Sequence, residues 1–94
     1  GNTITVSGAV RAYIPVDTIG VITYLQRWDA SKGQWVDVIK VGEAKAVKQS
    51  SVQVNSLVTI VKGQYYRTRT TNYVIHKGTL EQSQCVSSYI YIPN

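Results

Sequence analysis

The sequence predicts an all-β fold, an antiparallel sandwich or small barrel, and three observations carry that prediction. Apolar and polar residues alternate along almost the whole chain, while helical periodicity is nearly absent. The apolar set, 44% of residues, is dominated by valine, isoleucine and tyrosine, with no phenylalanine or methionine, and those are strand-forming side chains. Turn-type residues recur roughly every ten positions, so no connection is long enough for the helical crossover that parallel strands require. Ninety-four residues make one domain, 1–94, able to bury roughly 60–70% of the surface its unfolded chain exposes.

The first strand is expected over Thr3–Ile14, where Ile4, Val6, Val10 and Ile14 share one face. Gly8 interrupts that face and marks a bulge or bend where the chain passes between sheets. Pro15 and the DTIG segment at 17–20 read as a break. VITYLQRW (21–28) and QWVDVIKV (34–41) flank the turn DASKG and form a hairpin. GEAKAVKQ (42–49) holds the only helix-favouring residues and reads as a connection with one helical turn. A valine-rich strand follows, then a turn at Lys62-Gly63, the strand GQYYRTRTTNYVIHKG (63–78), and a closing strand ending at Ile92.

Within the 63–78 strand neither face is apolar. Burying an unpartnered guanidinium costs several kcal/mol, so Thr68 and Thr70 are expected to face inward and Arg67 and Arg69 to face water. Truncating both arginines should then change stability by no more than roughly 0.5–1 kcal/mol. Tyr66, just after a turn, suits a corner tyrosine whose ring packs inside while its hydroxyl bonds backbone. The closing strand is expected to turn Val86, Ser88, Ile90 and Ile92 inward and Cys85, Ser87, Tyr89 and Tyr91 outward.

These assignments gather Arg67, Arg69, Tyr73, Tyr89 and Tyr91 into a candidate binding face, since arginine beside tyrosine suits both protein and polyanion partners. The plainer reading, a sheet surface stabilised by cross-strand neighbours, carries more weight on sequence alone. Trp28 and Trp35 flank the DASKG turn and form a candidate end-of-domain aromatic pair. Core-edge packing is preferred for them, with a sugar-stacking platform as the alternative.

Enzymatic chemistry finds little to work with. One histidine, His76, and one cysteine, Cys85, build neither a triad nor a zinc site, and the five acids lie at turns or strand ends. No catalytic, cofactor or metal residue is assigned. Cys85 has no internal partner and is either an inert thiol or a bridge between chains. The net charge of +5 is concentrated in the second half, with no acid between Glu43 and Glu81.

LQRW, SKGQW, KGQYYRTRTTNYVIHKGTLEQSQ and the closing SSYIYI resemble, over roughly residues 20–92, small exported proteins of Gram-positive bacteria with immunoglobulin-like or fibronectin-like folds. The resemblance implies a seven-strand Greek-key sandwich, export and no catalytic residue. Absence of methionine agrees with a processed chain in which Gly1 is a tag scar or the residue after a removed leader. No apolar run approaches the roughly 18–20 residues of a spanning helix. The expectation is therefore a non-enzymatic secreted or cell-surface domain that contacts a protein or an anionic cell-envelope polymer. The alternative is a small barrel binding single-stranded nucleic acid or another polyanion through its basic, tyrosine-rich face.

Overall fold

A computed structural model describes residues 2–94; Gly1, read above as a processing or tag remnant, lies outside the described residues. The chain is all-β and antiparallel, with 83% of residues in strands and no helix among those described. Five strands form one sheet: β1 (Thr3–Asp29), β2 (Gln34–Thr59), β3 (Gln64–His76), β4 (Thr79–Val86) and β5 (Ile90–Ile92), in the order β2-β1-β3-β4, with β5 also on β3. The count is five and not the seven expected: two of the expected breaks are bends inside β1 and β2, and the expected closing strand is divided into β4 and β5. Pro15 lies inside β1, in a bulge where Ala12–Pro15 oppose only Ser50, so its missing N–H is not needed by the ladder.

The expected helical turn at 42–49 is strand, paired from Gly42 to Gln49 with Val16–Thr23 of β1. Its helix-favouring composition conflicts with its period. Gly42, Ala44 and Ala46 are half-buried while Glu43, Lys45 and Val47 are exposed, an alternation that only a strand satisfies. Lys48 relieves the bend opposite the bulge with φ 57°.

The bend doubles the β1–β2 ribbon over itself. Its outer half, Thr3–Arg11 against Ser51–Thr59, crosses the inner face of the half that pairs with β3. Gly8 makes the close approach: a Cβ there would collide with Thr23 Oγ1 and lie 3.2 Å from Thr23 Cβ and 3.4 Å from Thr70 Oγ1. Between the layers sit Val6, Leu25, Val58, Ile60 and Tyr66, with Ile4, Val41 and Ile92 against them. Thr70 is buried, as expected of the threonine face, and its hydroxyl lies 3.4 Å from that of Thr23. Tyr66 is the corner tyrosine: its buried ring joins the core, and its hydroxyl accepts from Val61 N at 2.9 Å and donates to Val61 O at 3.3 Å. The molecule is elongated, 48 × 28 × 17 Å, with a radius of gyration of 15.0 Å against roughly 12 Å for a compact chain of this length.

β3 and β4 join through a two-residue turn in which Lys77 (φ 51°) and Gly78 (φ 80°) are both left-handed, the backbone that matches strand twist. β4 and β5 lie end to end along the same edge of β3, separated by a bulge at 87–89. Three residues there span the two positions Arg67 and Thr68, which reverses the face of everything after it. Tyr91 and Ile92 keep their expected sides, opposite Tyr65 and Gln64, but Val86 pairs with Arg69 on the outer face and Cys85 with Thr70 on the inner one. Cys85 is a free, exposed thiol because β4 is exposed on both faces. Ser87 holds the bulge: its N donates to Thr68 O (2.9 Å), and its hydroxyl accepts from Thr68 N (2.8 Å).

Gly8→Val should destabilise by about 1–3 kcal/mol, because the layers cannot separate without opening the core. Tyr66→Phe should cost about 1–3 kcal/mol by leaving Val61 N–H unpaired. Urea unfolding of both variants checks these values.

Candidate functional site

The outer face at the β1–β2 hairpin end carries a continuous run of aromatic rings. The DASKG turn sets its origin: Asp29 Oδ1 accepts from Ser31 N (3.0 Å), Ser31 Oγ (2.6 Å) and Lys32 N (3.2 Å), and Gly33 closes the turn at φ 65°. The Ser31 hydroxyl, first among these bonds, holds the Asp29 carboxyl below its ordinary pKa. This turn puts Trp28 directly opposite Trp35, with ring centroids 5.6 Å apart at 66°. From Trp35 the run continues to Tyr89 (6.1 Å, 38°), from Tyr89 to Tyr65 (5.7 Å, 73°), and from Tyr65 to Tyr91 (4.8 Å, 49°). Trp28, Trp35, Tyr65 and Tyr89 line an open groove of about 300 Å³.

The tryptophans are therefore not core-edge packing. Trp28 is 36% exposed and Trp35 half-buried, on the face opposite the core. The reason is register: Leu25, on the other parity of β1, fills the core that the tryptophans were expected to cap.

Arg67 and Arg69 do lie on this outer face, but they are not bathed in solvent, and that expectation is corrected. Arg69 forks onto Asp37, Nε to Oδ1 at 3.2 Å and Nη2 to Oδ2 at 2.7 Å, and lies 4.3 Å from the Tyr24 ring centroid. Its Nη1 donates to Gln84 Oε1 at 3.3 Å, and the side chain is only 21% exposed. Arg67 Nε donates to Gln26 Oε1 (2.7 Å), and Gln26 Nε2 donates to Asp37 Oδ1 (2.9 Å). Buried Gln26 thus ties both arginines to one carboxylate. The Arg67 guanidinium sits 4.5 Å from the Trp35 centroid, which locks that ring to the network.

The Arg69 hydrogen bonds, then those from Gln26, hold the Asp37 carboxyl below its ordinary pKa, and Asp37 raises that of Arg69. Arg67 differs from Arg69. Among the described residues no carboxylate lies within ion-pair distance of it, and its two terminal nitrogens make no hydrogen bond.

Of the residues expected to form one face, Arg67, Tyr89 and Tyr91 come together with Trp28 and Trp35. Arg69 adjoins them through Gln26 and Asp37. Tyr73 does not join. It sits farther along β3, its ring over Gly20. Tyr65, Gln26 and Asp37 were absent from the expected face. Hairpin counting back from Trp28 opposite Trp35 puts Gln26 opposite Asp37, a signal the sequence does contain. Among the described residues no group of three His, Cys, Asp or Glu stands close enough to hold a metal, and no helix is long and apolar enough to cross a membrane.

Compared with known proteins, the chain matches no protein family, no curated protein and no solved structure.

Arg69→Ala should cost about 1–2 kcal/mol, the loss of a partly shielded ion pair and a cation–π contact, and Arg69→Lys should recover little of it because the fork is lost. Chemical denaturation of the two variants measures both. Because Asp37 titrates lower in the folded protein, its contribution is complete above the ordinary value of 3.8 and disappears as pH falls through the lowered one. Tryptophan emission followed from pH 6 to 2 should show that loss, and Asp37→Asn should remove the Asp37 share while leaving that of Asp29 in the DASKG turn.

Proposed function

We propose that this chain is a non-enzymatic binding module of the cell exterior, secreted or surface-attached, that engages a protein or cell-envelope polymer through the aromatic groove. One observation carries the reading: Trp28, Trp35, Tyr65 and Tyr89 surround an open groove although the core lies on the opposite face. Rings with no role in the core are costly to leave in water, and exposed aromatic clusters with a polar rim are what recognition surfaces use. The Gln26–Asp37–Arg67–Arg69 network holds the floor in place, which lowers the ordering cost of binding.

The immunoglobulin-like and exported character belongs to the same proposal. Five strands, two of them bent once, amount to seven straight segments in two layers, the count of such a sandwich. Export rests on the resemblance of LQRW, SKGQW and SSYIYI to small exported proteins.

The nucleic-acid alternative is weakened by where the cations fall. Arg69 is spent on Asp37, and Lys77 lies at the far end of β3, roughly 30 Å from Arg67. A backbone-tracking groove needs several cations in sequence along it.

Co-sedimentation with purified cell-envelope polysaccharide should retain the wild-type protein, and Trp28→Ala with Trp35→Ala should abolish retention without a large loss of stability. Equal retention of both proteins would sink the reading. Titration with an oligothymidylate at low salt should stay flat, and a steeply salt-dependent isotherm would favour the alternative instead.

A further inference from the structure

We infer that the groove takes a carboxylated polysaccharide, with the sugar held by the rings and the carboxylate by Arg67. The inference rests on the binding-module reading above and adds the ligand's chemistry. The two arginines of this face are electrically unequal. Arg69 is neutralised by a forked pair with Asp37, whereas Arg67 offers only its Nε to uncharged Gln26 and keeps its terminal nitrogens unbonded among the described residues. Its guanidinium is fixed 4.5 Å from the centroid of Trp35, one of the groove's own walls. A planar fork held rigid beside an apolar wall matches a carboxylate carried on an apolar body.

The ring geometry selects the body. Successive planes are tilted by 66°, 38° and 73° around the groove, so they wrap a puckered object on several sides instead of offering the parallel surface that planar bases stack on. A pyranose, with C–H faces and a hydroxyl rim, is such an object. Cationic ligands are excluded because a guanidinium already occupies Trp35, and a second cation there meets like charge. A polyphosphate backbone is disfavoured because the four lining residues carry no cation and Arg67 is the one found against a groove ring among the described residues. About 300 Å³ lies at the small end of ligand sites, suited to one or two sugar units of a chain that runs on through the open ends.

Tryptophan emission should be titrated with polygalacturonate, with its fully methyl-esterified form, and with oligothymidylate, using wild type, Arg67→Gln and Arg67→Lys whose melting temperatures are measured alongside. Polygalacturonate should bind wild type about ten- to hundredfold more tightly than the ester, the span of one hydrogen-bonded charge. Arg67→Gln should bring polygalacturonate down to the level of the ester in the same variant, abolishing their ratio, and Arg67→Lys should recover only part of the difference. The proposal falls if the ester binds wild type as well as the acid, if Arg67→Gln preserves their ratio, if oligothymidylate binds more tightly than the uronate, or if neither polymer binds. Polygalacturonate binding that depends on Trp28 and Trp35 but not on Arg67 overturns the carboxylate assignment and leaves the binding-module reading standing. No binding of either polymer, together with Trp28→Ala and Trp35→Ala proteins retained on envelope polysaccharide as well as wild type, removes both.

Discussion

Two β-layers with ordinary side chains between them stand about 10 Å apart, and the doubled β1–β2 ribbon closes more tightly than that at one point. At Gly8 there is no side chain, so Thr23 and Thr70 reach the opposing backbone. Everything else in the architecture follows from that approach. The ribbon can lie across its own inner half, Val6 and Val58 are brought onto Leu25 and Tyr66, and the core is sealed by a chain that would otherwise be a single exposed sheet. The bulge of Ala12–Pro15 opposite Ser50 supplies the bend, and Gly8 makes the folded-over position habitable.

Sealing the inner face with aliphatic and hydroxyl side chains and the single ring of Tyr66 leaves both tryptophans, Tyr65, Tyr89 and Tyr91 on the outside. That division explains how one molecule has both a small conventional core and an aromatic surface. It also explains the charge. A basic second half suggests a diffuse positive field, yet one of its arginines, Arg69, is paired with Asp37. The net charge of +5 is unchanged by this pairing, but the cation held against the groove's rings is the Arg67 guanidinium, with a fixed direction.

The strand class, the DASKG hairpin, the HKG turn and the corner role of Tyr66 were legible because each rests on local chemistry: alternation, turn residues and a tyrosine following a turn. Gly8 was legible as a special position, but the bulge or bend expected there falls at Ala12–Pro15 instead; Gly8 keeps regular register with Val54 and serves as the close approach between layers. Continuity through Pro15 and through GEAKAVKQ was not, because composition there argues for a break and only the partner strand supplies the deciding hydrogen bonds. The face of Val86 and Cys85 was lost to a single extra residue at 87–89, where nothing but serine marks the bulge. The site was half legible. The parity of β3 gives the outward direction of Arg67 and Arg69, but their enclosure depends on Asp37 and Gln26, contributed by a different hairpin through tertiary pairing.

The far wall of the groove has an unequal footing. Trp28 and Trp35 stand on the long ribbon, whereas Tyr89 comes from the bulge and Tyr91 from β5, which is attached to β3 by three residue pairs. Opening free energies in a folded protein scale with the structure that must be broken, and β5 adds to its three pairs only the packing of Ile92 on the core and the Gly63 N–H bond to Ile92 O, far less than holds the ribbon. One side of the groove thus stands on the long ribbon, while the other divides between Tyr65 on β3 and Tyr89 in the bulge, the part of the wall with the least structure beneath it.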